Sequence, residues 1–458
     1  MRLSHLVAAA SVCVRVVLAA AGPLNPPAGA LSASGKTLTE IEPRTAITLA
    51  NTPGDADSLF KITQPGSYYL TGTIVGAVAK HGIEVAADFV TIDLNGFTMV
   101  GVTDSFDAVR GDGGPLHVGL TVKNGTISGW TNGSAVYAGG MADCRAADLR
   151  VSGVAFEGVW FGARGVIERC VVRGTRGGLR AGSASVVRDS SSEDATERGI
   201  YTSHESMVWG CQVRNSTGVG IDSGVNSTVR DCTVRSAGSV GVLVGSSSNV
   251  TRVEVFNGIA AGIGCGSQST VTDCVLLSPG TSGDNGISTQ QDCRVSGCTV
   301  LDAGFNGIAV GSGSTVTGCV AGLCSQHGIN AGTRCTVSNC KMHFNTGDGV
   351  RADAESVVTD NHCIDSIGAG ASGVRIIGNG CKVEGNECRS CPVGIQVAGT
   401  GSLIVRNTCS LNATNWIIAA SNVYGPIVDR TVPASAAVSG NSAADTTGST
   451  HPNANFTR

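Results

Sequence analysis

The chain has 458 residues, including 65 Gly, with 14% charged and 4% aromatic side chains and a formal net charge of −4. A chain so close to neutral lacks the basic footprint of a nucleic-acid partner; even its arginine-rich part, residues 143–254, sets thirteen Arg against twelve Asp and Glu. No apolar run reaches the roughly 18 residues needed for a membrane span.

Residues 1–21 read as a signal peptide, with Arg2 at the basic start, a mostly apolar stretch over 6–21 and Ala19-Ala20-Ala21 as a small-residue cleavage site. This predicts a secreted or cell-surface protein. Residues 22–57 carry Pro23, Pro26, Pro27, Pro43 and Pro53 without periodicity and read as a Pro-rich leader. The body of the chain is then 58–425. HGIEV (81–85) and VTIDLNG (90–96) form its first recognisable coil. Residues 101–119 interrupt the rhythm as a loop. The tripeptide Arg110-Gly111-Asp112 falls there, where chance alone accounts for it.

From Gly220 the chain repeats. GIDSGVNSTVRDC, GVLVGSSSNVTRV, GIGCGSQSTVTDC, GISTQQDCRVSGC, GIAVGSGSTVTGC and GINAGTRCTVSNC end at Cys232, Val253, Cys274, Cys298, Cys319 and Cys340, spaced by 21 residues with one step of 24. A period in this range signals a solenoid, and a solenoid escapes the usual relation between length and domain number. Tracked outward, the end position falls on Leu149, Cys170, Ser190 and Cys211, then on Asn361, Asn386 and Asn407. A Val/Ile column lies three residues before this ladder, a second apolar column two residues after it, and a Ser/Cys column five before it. Short Val-rich runs broken by Gly, Ser, Asn and Asp are strands and turns. Leucine-rich repeats fail, with only eight Leu between Gly125 and Asn407, and steps of 21 and 24 do not share a six-residue period. The expected fold is all-β, a right-handed parallel β-helix of about 21-residue coils, roughly fifteen in number. The tail, 426–458, is rich in Ala, Ser, Thr and Asn and reads as loose. The N-terminal strands and the Trp416 segment are the expected end covers.

The GI-x-V and S-x-V-x-D/N-C pattern resembles secreted bacterial right-handed parallel β-helix repeat proteins of the pectate-lyase-like and NosD-like group, over roughly residues 59–421. GPLNPPAGA, KTLTEIEPRTAI and HPNANF also look like flanking segments of uncharacterised sets in that group. The resemblance implies the fold and leaves the activity open, because such folds carry lyases, hydrolases, epimerases and adhesins. It also implies that catalysis, where present, comes from Asp, Arg, Lys or His on the outer face of one sheet. The adjacent Asp pair and GHG turn of polygalacturonases are absent, as is the DPHD-like run of alginate epimerases.

Most of the eighteen Cys fall in the repeat columns, which makes them packing residues rather than a disulfide framework or metal site. Cys388 and Cys391 form a single CxxC with no second pair to complete a zinc site. The strongest outward column is Trp160, Arg180, Tyr201 and Asp222, with His204 and Glu205 in the turn beside it. An aromatic–cation–carboxylate series suits an acidic glycan: rings stack on sugars, Arg180 pairs with a uronate, and Asp222 holds Ca²⁺ or moves a proton. No other cofactor is expected. A second series, Asn285, Asn306, His327 and Asp348, precedes the repeat glycines and reads as turn residues. Three functions remain: a secreted or surface scaffold and interaction protein without catalysis, a lyase or hydrolase acting on an acidic polysaccharide, or a glycan-binding module without turnover.

Overall fold

A computed structural model describes residues 42–111, 117–280, 283–431 and 449–458. The expected signal peptide lies outside these residues, as does Asp112 of the RGD tripeptide. Residues 44–458 form one compact unit. Every regular element among the described residues is a strand.

One coil shows how the sequence makes the fold. Ile221–Ser223, Thr228–Arg230 and Thr233–Arg235 are its three strands. Ile221, Val229 and Val234 point inward and are fully buried. Asp231 breaks the chain between the second and third strands with φ of 54°. The same position is left-handed in every coil from Asp148 to Arg406. Asp, Asn and Gly tolerate that conformation best, which explains why they dominate the residue before the ladder. Gly220, ahead of the first strand, has no alternative. A Cβ there would lie 2.5 Å from both the Gly241 carbonyl oxygen and the Val234 side chain.

Each strand pairs in parallel with its counterpart one coil on, as in Ile221↔Val242↔Ile263 and Val229↔Val250↔Val271. The predicted columns therefore become stacks. The first strand of each coil contributes to a seventeen-stranded sheet, so the solenoid has more coils than the repeat alone suggested. The surplus lies at the ends, where the sequence loses its period. Thr45–Ala46 already pairs with Gly66–Tyr69 inside the Pro-rich leader.

The ladder is more than a slot for small side chains. The backbone N–H of Cys170 donates to Ser190 Oγ at 3.1 Å, that of Cys319 to Cys340 Sγ at 3.5 Å, and that of Cys340 to Asn361 Oδ1 at 3.0 Å. The Ser/Cys column repeats the device: Ser227 N–H donates to Ser248 Oγ, and Cys293 N–H to Ser314 Oγ. Ser, Cys and Asn exchange at these positions because each can accept the N–H that the left-handed kink leaves unpaired, while Leu149 and Val253 fill the same column by packing alone. All seventeen described cysteines are buried thiols. Burial pushes Cys144 up to about 11 and Cys170 up to about 12.

The Asn ladder runs on into the tail. Asn361 Nδ2 donates to Asn386 Oδ1 and Asn386 Nδ2 to Asn407 Oδ1, each at 3.0 Å, and Asn407 Nδ2 reaches Asn455 Oδ1 at 3.3 Å. The end of the tail, read as loose from its composition, is thus strand. Asn455–Thr457 pairs with Thr408–Ser410, and Trp416 Nε1 donates to Thr457 Oγ1 at 2.9 Å. Residues 432–448 lie outside the described ones.

Two measurements check this packing. Val250→Asp places an unpaired charge in a fully buried stack and should prevent cooperative folding, because the cost is several kcal/mol. Asn386→Ala strips acceptors from the N–H and side-chain amide of Asn361 and should destabilise the chain by about 1–3 kcal/mol per orphaned group. Circular-dichroism melts of both variants read the outcome; a wild-type midpoint for Val250→Asp would rule out the stacked register.

Candidate functional site

The first-strand sheet carries a single outward column. Its register runs Lys61↔Glu84↔Arg110↔Tyr137↔Trp160↔Arg180↔Tyr201↔Asp222. The four residues predicted from the repeat, Trp160, Arg180, Tyr201 and Asp222, do occupy consecutive coils. The column continues four residues further toward the N-terminus than the sequence reading carried it.

The rings and guanidinium groups interleave. The Arg180 guanidinium lies 4.0 Å from the Trp160 ring centroid and 5.2 Å from that of Tyr201. Arg110 lies 5.2 Å from Tyr137, and Tyr137 meets Trp160 edge-on at 4.9 Å. The aromatic faces expected to stack on sugars are therefore partly taken up in holding arginines. Ring quadrupoles attract and orient the cations. Arg180 and Asp222 do not neutralise each other. Asp222 pairs with Arg198 at 2.8 Å, and Arg180 lies 3.6 Å from Glu157. Burial pushes the Asp222 carboxyl up, against the opposing pull of Arg198.

His204 and Glu205 are exposed in the turn that follows Tyr201. His204 Nδ1 accepts the Val225 N–H at 3.2 Å, and Glu205 takes the left-handed position with φ of 58°. His204 and Asp222 line a hollow of about 580 Å³ that runs on to Gln290. Trp160 lines a different one.

That second hollow is a groove of about 570 Å³ lined by His81, Asp107, Arg110, Tyr137, Glu157, Trp160 and Arg176, with Phe106 and Phe156 on its wall. It forms where coils are long: 26 residues separate His81 from Asp107, and 27 separate Asp107 from Ser134. The extra residues supply the wall. The sequence reading missed His81 and Asp107 because these unequal coils defeat alignment by a fixed period, and it missed Glu157 and Arg176, which lie in aligned coils, because they stand outside the one outward column it followed.

Its polar groups are buried and cross-braced. His81 is 9% exposed, Asp107 6% and Glu157 3%. The Asp107 N–H donates to His81 Nδ1 at 3.1 Å, which leaves the neutral ring's proton on Nε2. Asp107 Oδ1 accepts the Ser134 N–H at 2.7 Å, and Oδ2 accepts from Arg110 at 3.0 Å. Arg176 donates to Glu157 at 3.4 Å and lies 4.5 Å from the Phe156 ring. Arg176 Nε is buried with no hydrogen-bond partner; its nearest carboxylate, Glu197, is 3.7 Å away. Arg110 and Gly111 of the RGD tripeptide belong to a strand, with Arg110 bound to Asp107.

Among the described residues, Asp55, Asp57 and Glu84 have the spacing of metal ligands. The Lys61 ammonium lies 2.8 Å from Asp55 and 3.0 Å from Glu84. It holds the Asp55 carboxyl well below the usual range and occupies the place a cation would take. Asp222 belongs to no such group.

Residues 109–257 match the family model described as right handed beta helix region. The fold is a right-handed parallel β-helix. No curated protein matches it. Solved β-helix structures similar to it include the mannuronan C-5 epimerase AlgE4 A-module of Azotobacter vinelandii, at 14% identity over 79% of this chain and 91% of that one with a TM-score of 0.35. Tailspike protein 3 of bacteriophage CBA120 aligns at 14% identity over 75% of this chain and 56% of the other, TM-score 0.39. An alginate lyase from Paenibacillus sp. aligns at 12% identity over 64% and 95%, TM-score 0.27. Among the described residues of this β-helix, no helix is long and apolar enough to cross a membrane.

Burial pulls the His81 pKa below its ordinary 6.5; Asp107, Asp57 and Glu84 oppose this and Arg110 reinforces it. The unfolded chain therefore takes up this proton first. The stabilising contribution is present above about pH 6.5 and is lost as the pH falls through the lower folded value. Thermal melts from pH 8 to pH 5 should show a decline beginning near that point. His81→Asn should reduce the decline and leave the part due to His327, which burial also pulls below its ordinary 6.5; an unchanged slope would remove His81 as a source.

Proposed function

We propose that the β-helix is a secreted or cell-surface interaction protein that binds an acidic polysaccharide laid along the coil axis, over the groove and the outward column. The observation that carries this reading is the Arg180 guanidinium held between Trp160 and Tyr201, next to a groove in which Arg110 lies on Tyr137 and Arg176 on Phe156. Arginines fixed by rings meet a carboxylate or sulfate with less loss of side-chain freedom than free surface arginines. Arg110 and Arg180 stand three strands apart in the column, roughly 14 Å, with Arg176 in the coil of Arg180, so charge recurs along the axis a polymer would follow. A smooth solenoid serving only as a scaffold would need neither the groove nor an Arg176 Nε buried without a hydrogen bond.

His204 and Glu205 would stand at the edge of the bound chain. Asp222, already paired with Arg198, would repel a uronate and favour a hydroxyl face. Ca²⁺ could join as a bridge between Asp222 and the glycan's own carboxylates.

One observation favours turnover as a second reading. His81, neutral and carrying its proton on Nε2, lines the groove together with Tyr137 and Arg110. Beside a carboxylate that Arg110 neutralises, Tyr137 would take the proton, because His81 Nδ1 already accepts the Asp107 N–H and its Nε2–H can only donate. Such a site would act as a polysaccharide lyase.

A panel of alginate, pectate and glycosaminoglycans tests both readings, with binding and unsaturated-product absorbance followed together. Binding without product is expected, weakening about tenfold or more in Arg180→Ala, as for loss of a charge-assisted bidentate contact. Product formation abolished by His81→Asn would establish the lyase. Binding that Arg180→Ala leaves intact would move the glycan off this column.

A further inference from the structure

The groove contains a three-coil pattern that recurs near the other end of the same sheet. At the first site the coils read HGIE (81–84), DAVR (107–110) and SAVY (134–137). At the second they read HGIN (327–330), DGVR (348–351) and SGVR (372–375). The two lie eleven strands apart in the sheet, on the order of 50 Å.

The geometry recurs with the letters. The Asp348 N–H donates to His327 Nδ1 at 2.9 Å, as that of Asp107 does to His81. The Ser372 N–H donates to Asp348 Oδ1 at 2.8 Å, as that of Ser134 does to Asp107. In both copies the Asp carboxylate lies beside the His ring, Oδ2 at 3.3 Å for Asp348 and 3.5 Å for Asp107. In both, the third residue after the Asp is an arginine reaching back to this pair. Both copies stand beside a long coil, with 24 residues separating Asp348 from Ser372. Asp348 is 2% exposed and braces the neighbouring coils, so it does more than the turn residue that the letters before glycine suggested.

The differences tell what the second copy would take. Arg375 replaces Tyr137 and Gln396 stands where Trp160 does, so the aromatic platform is gone and a second cation has been added. Arg375 donates to Asp348 Oδ1 at 2.9 Å, which leaves one carboxylate against two guanidinium groups. Arg351 reaches no carboxylate within salt-bridge distance among the described residues. Its Nη1 lies 3.2 Å from His327 Nε2 instead. Because Nδ1 accepts the Asp348 N–H, a neutral His327 carries its proton on Nε2. Two donors then face each other without an acceptor between them. A carboxylate or sulfate oxygen would satisfy both.

We propose that His327, Arg351 and Arg375 form a second anion-binding station, which takes the carboxylate or sulfate of an acidic sugar by charge and hydrogen bonding alone. It rests on the proposed function for the class of ligand. The site itself stands on the duplicated geometry. A long polymer would engage both stations at once; a short oligomer would bind each separately. Linking two modest sites through one chain raises avidity without new contacts.

Calorimetry with tetramannuronate, too short to bridge the stations, is the test. Wild type should bind two oligomers per chain. Arg351→Ala should bind one, and so should Arg180→Ala. Arg351→Gln, which keeps the side chain's bulk, repeats the measurement should the alanine variant melt early. Nitrogen-15 labelling of the histidines adds a local readout, in which the His327 Nε2 resonance shifts on titration and stays still in Arg351→Gln. One oligomer in wild type, lost in Arg180→Ala and kept in Arg351→Ala, overturns the second station and leaves the proposed function standing. One oligomer lost only in Arg351→Ala keeps the station and overturns the proposed groove. No binding in any chain overturns both.

Discussion

The constraint on which this molecule depends is the disposal of the backbone N–H at each left-handed kink. A coil must turn sharply to close, and the kinks at Asp148 through Arg406 take positive φ to do so. The N–H that follows has no partner within its own coil. A buried N–H left unpaired costs as much as a lost hydrogen bond or more. After Cys170, Cys319 and Cys340 the next coil supplies the acceptor through Ser Oγ, Cys Sγ or Asn Oδ1, whereas Val253, which follows Cys232 in the ladder, offers none. Stacking therefore satisfies polarity and buries Val columns in one operation, and no coil is stable without its neighbour.

The same constraint shapes the ends. Asn361, Asn386 and Asn407 require a further acceptor, and Asn455 provides it after the chain has left the repeat and returned. The HPNANF segment thus has a structural role that its composition conceals. It covers strand edges that would otherwise pair with another molecule.

Repetition also explains how a chemically bland chain comes to carry a concentrated site. Uniform coils place equivalent residues one strand apart, so a few substitutions in one column produce a row of aligned side chains. Arginines held by rings along that row resist the rotamer disorder that weakens most surface cations. Longer coils at Asp107 and Ser134 then raise a wall beside the row. Where coils are short, the same sheet stays open and the column passes through Leu243 and Gly264 without chemistry.

Sequence alone determined the stacked fold, the buried columns and the alignment of Trp160, Arg180, Tyr201 and Asp222, because a fixed period converts spacing in the chain directly into position in space. It did not reach His81 or Asp107, since coils of 26 and 27 residues share no period with the repeat, nor Glu157, which shares a strand with Trp160 but stands outside the outward column. Nor did it show that His327 and Asp348 repeat the His81 and Asp107 pair. That likeness lies in hydrogen bonds between coils rather than in letters at a constant interval. Only the tertiary structure decided which carboxylate each arginine meets: Asp222 turned to Arg198 and Arg180 to Glu157. Long flexible side chains settle their pairing by local packing and burial, and a one-dimensional register carries no information about either.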